Sequence, residues 1–231
     1  MTVNPAPAPV SRTVPLRGAR GMIADKMVAS LHDAAQLTHH ARVDVSALLQ
    51  AKAALAEAGV KISIEDLLMA ALVRVLLRHP DLNGVVKGRE ILLSEAVDLC
   101  VAIALPGNLL AAPAIFRASE MTLPGLRAAR QDLAARAKAN KLTVPEMTGG
   151  TFTISNLGLS RVEHFTPILN TPQIAVLGVG RIVETAVPVD GGASFRPMAG
   201  LSLTFDHRAV DGAPAANFLT DLCDDIEGYV P

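Results

Sequence analysis

Tryptophan is absent from the 231 residues, tyrosine occurs once and phenylalanine six times. Proteins that hold single-stranded nucleic acid stack bases on aromatic rings along a basic groove. This chain has few rings, no Lys/Arg tract and a formal net charge of −1, so nucleic acid is excluded as an expected partner. The two cysteines, Cys100 and Cys223, lie in apolar patterns without metal-like spacing, which fits a reducing cytoplasm. The start, MTVNPAPAPV, lacks the basic end and apolar run of a secretory signal. Six histidines form no ligand cluster, because His39 and His40, as neighbours on a strand, point to opposite faces; no metal is expected. One uncharged run, LCVAIALPGNLLAAPAIF from Leu99 to Phe116, approaches the length of a membrane span. Pro106-Gly107-Asn108 interrupts it, so it reads as two buried strands joined by a tight connection, with no membrane.

What is present is apolar material for one large core: half of the side chains. Residues 1–14 are rich in Pro and Ala without periodicity and read as a semi-rigid linker, leaving 15–231 as the folded domain. Ile23, Met27 and Leu31 recur at helical spacing between Arg20 and Ala34; LTHHARVDV reads as a strand and Ser46–Ala58 as a helix stopped by Gly59. Ser63 with Asp66 three later makes a capping-box start for a helix ended by Pro80. A further helix near Leu123–Asn140 turns Leu126 and Leu133 inward. In the last third, TFTIS, IAVLGVGRIVETAVPV and FRPMAGLSLTFDH read as strands, the last two joined at Asp190-Gly191-Gly192. The expectation is an α/β (α+β) fold, a mixed sheet with packed helices. There is no phosphate loop: GARG at Gly18 lacks a preceding strand, and GVG at Gly178 lacks a following helix.

The stretch LTFDHRAVDGAP, Leu203 to Pro214, hands a strand to a helix within a few residues of a histidine. Alternation sets Leu201, Leu203, Phe205 and His207 on one side, Ser202, Thr204 and Asp206 on the other, which predicts His207 at the buried end of an apolar face. Asp211 falls in cap position, Pro214 in the first turn, and Phe218, Leu219, Leu222 and Ile226 on one stripe. His-x-x-x-Asp spacing alone decides nothing, since His40 and Asp44 share it within an ordinary strand. His207 as a core histidine, Asp211 as a cap and Gly212 as a backbone convenience is one reading; a catalytic pair is the other. Likewise Ser155, which ends GGTFTIS, reads as a turn residue or as a polar group at a strand end.

Three runs, GGTFTISNLG, FTPILNTPQIAVLGVGRI and LSLTFDHRAVDGAPAANFL, closely resemble the catalytic domain of dihydrolipoamide acyltransferases, the core component of 2-oxo acid dehydrogenase complexes. The likeness runs from VPLRG at Val14 through HPDLNG and KLTVPEMTGG nearly to the end. It implies a chloramphenicol-acetyltransferase-like fold, a homotrimer, and active sites between subunits. It places the general base on His207, the motif aspartate on Asp211 and the donor to the tetrahedral intermediate on Ser155. It further implies coenzyme A as substrate and a lipoyl domain, in cis or trans, as partner within the complex; no residue is assigned to coenzyme A. Residues 1–14 hold neither a lipoyl nor a subunit-binding domain. The SNLG run is nearer acetyl or branched-chain than succinyl transferases. Before Leu109 the chain has Asn108 where the family usually has glycine. Two other readings are a chloramphenicol-type acetyltransferase and a non-catalytic trimeric scaffold. With only Tyr229 and Val230 left to act as an apolar knob after the glycine that ends the last helix, the expected assembly is a trimer that forms larger cages weakly or not at all.

Overall fold

A computed structural model describes residues 13–230, so the expected linker lies largely outside the described residues. Helix α1 (Gly18–Asp33) leads into strand β1 (Gln36–Asp44) and helices α2 (Ser46–Glu57) and α3 (Ile64–Arg78). A hairpin, β2 (Gly84–Lys87) and β3 (Glu90–Leu93), precedes four short strands: β4 (Leu99–Val101), β5 (Ile103–Leu105), β6 (Leu109–Ala111) and β7 (Ala114–Ile115). Then come α4 (Leu123–Lys138), α5 (Val144–Thr148), β8 (Phe152–Asn156), the long strands β9 (Ala175–Val189) and β10 (Gly192–Asp206), and α6 (Gly212–Glu227). One six-stranded mixed sheet, ordered β1-β10-β9-β8-β4-β7, carries the fold, with β8 parallel to both of its neighbours.

The sheet buries both faces, for different reasons. Phe152, Ile154, Leu177, Val179, Leu201, Leu203 and Phe205 meet α2, α3, α4 and α6 in the main core. Helix α3 is set by the predicted capping box: the Ser63 hydroxyl accepts from the Asp66 amide, and the Asp66 carboxylate accepts from the Ser63 amide. The opposite face is polar yet covered by a strap of residues 157–174, which α1 holds through bonds from Lys26 and Ser30 to Asn170 and Leu169. There Ser202, Thr204 and Asp206 are buried, and each finds a partner: His40 Nδ1 at 2.9 Å from Ser202, Thr38 at 2.7 Å from Thr204, and Arg208 on Asp206.

Three expectations change. The run Leu99–Phe116 makes four short strands rather than two, because Pro113 has no N–H to continue a ladder and splits β6 from β7; β5 and β6 leave the main sheet as their own pair. The turn between them keeps its shape without the family's glycine, since Asn108 takes the left-handed conformation at φ 56° beside Gly107 at 76°. Helix α1 buries only Ser30, and Leu31, of the residues that recur at helical spacing, stays exposed with Met22 and Val28. At the other end, Tyr229 is half-buried on its own chain, with the Arg74 guanidinium 5.1 Å from its ring centre, and among the described residues after the last helix only Val230 projects.

Candidate active site

Strand β10 stops at Asp206, and the turn that follows is organised by that residue's buried carboxylate. It accepts from the Ala35 amide at 3.3 Å, the Arg208 amide at 3.0 Å and the Arg208 guanidinium at 2.6 Å. Burial works to raise the Asp206 carboxyl, but the bonds from Arg208 and Ala35 together outweigh it and hold it below the usual range. The His207 amide donates to Ala35 O at 2.8 Å, so the histidine's backbone is pinned to the start of β1. His207 keeps the side of the sheet predicted from alternation, with its ring 5.9 Å from that of Phe205. It is not buried, however: 44% of its side chain is exposed, because the strand has already ended and the turn swings it clear of the helices.

Asp211 is the N-cap residue of α6 by position but makes no side-chain cap bond. Its carboxylate instead lies 3.6 Å from His207 Nδ1. A carboxylate beside one imidazole nitrogen orients the ring and leaves the other nitrogen to exchange protons. Strand β3, which sequence reasoning missed, flanks this turn: Ile91 and Leu93 share a groove of about 280 Å³ with Val210, Asp211 and Pro214.

Ser155 lies on the polar face near the end of β8, half-buried, and its hydroxyl has no hydrogen-bond partner among the described residues. It stands opposite Gly178 of β9, which stands opposite Ser202 of β10. The GVG run is explained here. Side chains at Gly180 and Gly200 would collide with the Glu163 carbonyl, and a Cβ at Gly178 would meet the Phe165 ring at 2.8 Å, so these glycines clear a seat for the strap. Glycines spaced two apart on a strand are the sequence signal for such a close approach.

His207 and Ser155 do not meet within one chain. His207 lies five positions beyond Ser202 along β10. At sheet spacings the two residues stand roughly 17 Å apart along the strands and roughly 10 Å apart across them. A reaction that uses both needs a second copy.

On the helix side, next to Asn156, a cleft of about 380 Å³ is floored by Val45, Leu68, Val179, Ile182 and Ala199, with Lys52, Glu65 and Arg130 among its polar lining. Arg130 is not free, since its Nε lies 2.7 Å from the fully buried Asp66 carboxylate. Burial pushes Asp66 up, while bonds from Arg130 and Ser63 bring it below the usual carboxylate range. Cys100 and Cys223 are both unpaired, and burial pushes the Cys223 thiol up to about 11.

A family model for the catalytic domain of 2-oxoacid dehydrogenase acyltransferases matches residues 8–230. The chain belongs to this family. The acyltransferase-family chain is 37% identical over 214 residues to the dihydrolipoyllysine-residue acetyltransferase component of the acetoin cleaving system of Bacillus subtilis, covering 90% of this chain and 54% of that relative. It is 33% identical to the succinyltransferase component of the 2-oxoglutarate dehydrogenase complex of Azotobacter vinelandii, covering 94% of this chain and 56% of that relative. It thus spans about half the length of the curated relatives it matches. Among solved structures, dihydrolipoamide acetyltransferase from Azotobacter vinelandii superposes with a TM-score of 0.87 at 31% identity over 98% of both chains; that work concerned the roles of a serine, a histidine and an asparagine in its catalytic mechanism. A chloramphenicol acetyltransferase superposes with a TM-score of 0.55 at 14% identity over 87% of this chain and 94% of that one, which shows the expected fold and no more.

Proposed function

We propose that this domain transfers an acyl group between coenzyme A and a dihydrolipoyl thiol, within a 2-oxo acid dehydrogenase complex and as a trimer. The observation that carries the reading is the pairing of His207 with Asp211, together with an unpartnered Ser155 hydroxyl held too far away to serve the same chain. The serine, histidine and asparagine named for the Azotobacter vinelandii enzyme have the same sequence spacing as Ser155, His207 and Asp211, which supports these three in the corresponding roles. The exposed apolar side chains of α1 supply a face for the second copy.

In this reading the His207 imidazole takes the proton of the attacking thiol as its sulfur bonds to the thioester carbonyl carbon. The Ser155 hydroxyl of a neighbouring copy donates to the oxyanion that forms. The intermediate then collapses: the carbon–sulfur bond to the other thiol breaks, and the leaving sulfur takes the proton back from the imidazolium. Asp211 holds the ring and offsets its transient charge. The apolar cleft beside Asn156 suits the pantetheine arm of coenzyme A. A reducing, cytoplasmic setting, in keeping with the two unpaired cysteines, suits a reaction between thiols. The test is an acetyl-coenzyme A and dihydrolipoamide assay of the chain and its His207→Ala variant: the chain should turn over, and the variant should lose about 10²- to 10⁴-fold. Equal activity of the two would overturn the reading.

A further inference from the structure

We infer that the ring of Phe165 sets the acyl size, confining the site to a short acyl group of about acetyl length. This rests on acyl transfer at Ser155 as proposed above. An oxyanion donor stands about 3 Å from the acyl oxygen, so the acyl chain begins beside the Ser155 hydroxyl. The position directly across from Ser155 is Gly178, about 5 Å away by strand spacing and on the same face. Glycine leaves that place empty, and Phe165 fills it from the strap: a Cβ built on Gly178 would lie 2.8 Å from the ring's Cζ and 3.0 Å from Cε1. The far edge of the ring thus occupies the space into which a longer chain on a Ser155-bound carbonyl would extend.

The ring cannot readily move aside, because the strap is fixed around it. The Glu163 carbonyl sits in the gap left by Gly180 and Gly200. The Arg181 amide donates to Val162 O at 2.8 Å, and the Ser30 hydroxyl donates to Leu169 O at 2.7 Å. A succinyl group or a branched chain would therefore meet the ring sterically, being longer or wider than acetyl.

The experiment compares kcat/KM for acetyl-, isobutyryl- and succinyl-coenzyme A, with dihydrolipoamide as acceptor, in the wild-type chain, Phe165→Ala and Phe165→Leu. Wild type should favour acetyl. Phe165→Ala should raise the isobutyryl-to-acetyl ratio about tenfold or more, the usual worth of a methylene or two in an apolar pocket, and Phe165→Leu should shift it the same way by less. Thermal midpoint and assembled mass accompany each variant, and if the alanine form does not assemble the leucine form decides. Unchanged ratios in the folded variants, or a wild type that prefers isobutyryl or succinyl, would overturn the assignment while leaving acyl transfer standing. A wild type inactive with every acyl-coenzyme A would instead remove the transfer reading and this inference with it.

Discussion

Two aspartates five residues apart, Asp206 and Asp211, share one turn and do opposite work. Asp206 is spent on structure: its buried carboxylate satisfies the Ala35 and Arg208 amides and the Arg208 guanidinium. Asp206→Ala is expected to destabilise the chain by about 2–4 kcal/mol, since it strands two backbone donors, and to lower activity as well, because the same turn carries His207. Chemical denaturation beside kcat/KM checks both. Asp211 is 84% exposed and free to face the imidazole. If it orients the ring through a polar contact, Asp211→Asn should keep activity within about tenfold, whereas Ser155→Ala should lose about 10²- to 10³-fold, the typical worth of an oxyanion donor.

Among the elements, the strap over β9 and β10 is the part held by steric fit. Gly180→Ala or Gly200→Ala puts a methyl group where the Glu163 carbonyl lies, and backbone cannot yield as a side-chain tip can. Each should cost about 1–3 kcal/mol and speed exchange of the Arg181 amide, which is bonded to Val162. Helix α5 depends on charge instead. Its capping Glu146 accepts from Arg136 at 2.8 Å and from the Thr143 amide at 2.8 Å, and these bonds pull its carboxyl from 4.5 down to about 2. A depressed carboxyl contributes stability above its unfolded value that is lost as pH falls. The gap in thermal midpoint between wild type and Glu146→Gln should therefore be full at neutral pH, shrink below about 4.5 and vanish near 2.

For the whole molecule, the proposed use of both His207 and Ser155 would make assembly a condition of catalysis, because the two stand apart within one chain. A His207→Ala chain still offers Ser155, and a Ser155→Ala chain still offers His207. Co-assembled from equal amounts, the two inactive forms should regain roughly a quarter of wild-type activity, because random pairing brings an intact serine face to an intact histidine face that often. Mixing without subunit exchange should give none. Recovery of activity in either variant alone, or its absence in verified mixed trimers, would show that one chain holds a complete site.

Much of this was legible in the residues themselves. Local signals name their own elements: the Ser63–Asp66 capping box, the Asp190-Gly191-Gly192 turn, and the apolar alternation of β10 up to Phe205 depend only on near neighbours. The order of residues in LTFDHRAVDG also determines that a histidine and an aspartate leave a strand together, since their spacing needs no distant contact. Tertiary structure decided the rest. Whether His207 is buried depends on where β10 ends, which is set by Asp206 reaching across to Ala35, 171 residues away. The two-residue spacing of Gly178 and Gly180 marks a close approach, but what approaches them and Gly200 is a strap that crosses from outside the sheet, and nothing within β9 names it. The same holds for the distance between Ser155 and His207: strand order, not sequence, places β9 between their strands, and so a site that used both candidate residues would have to be shared by two copies.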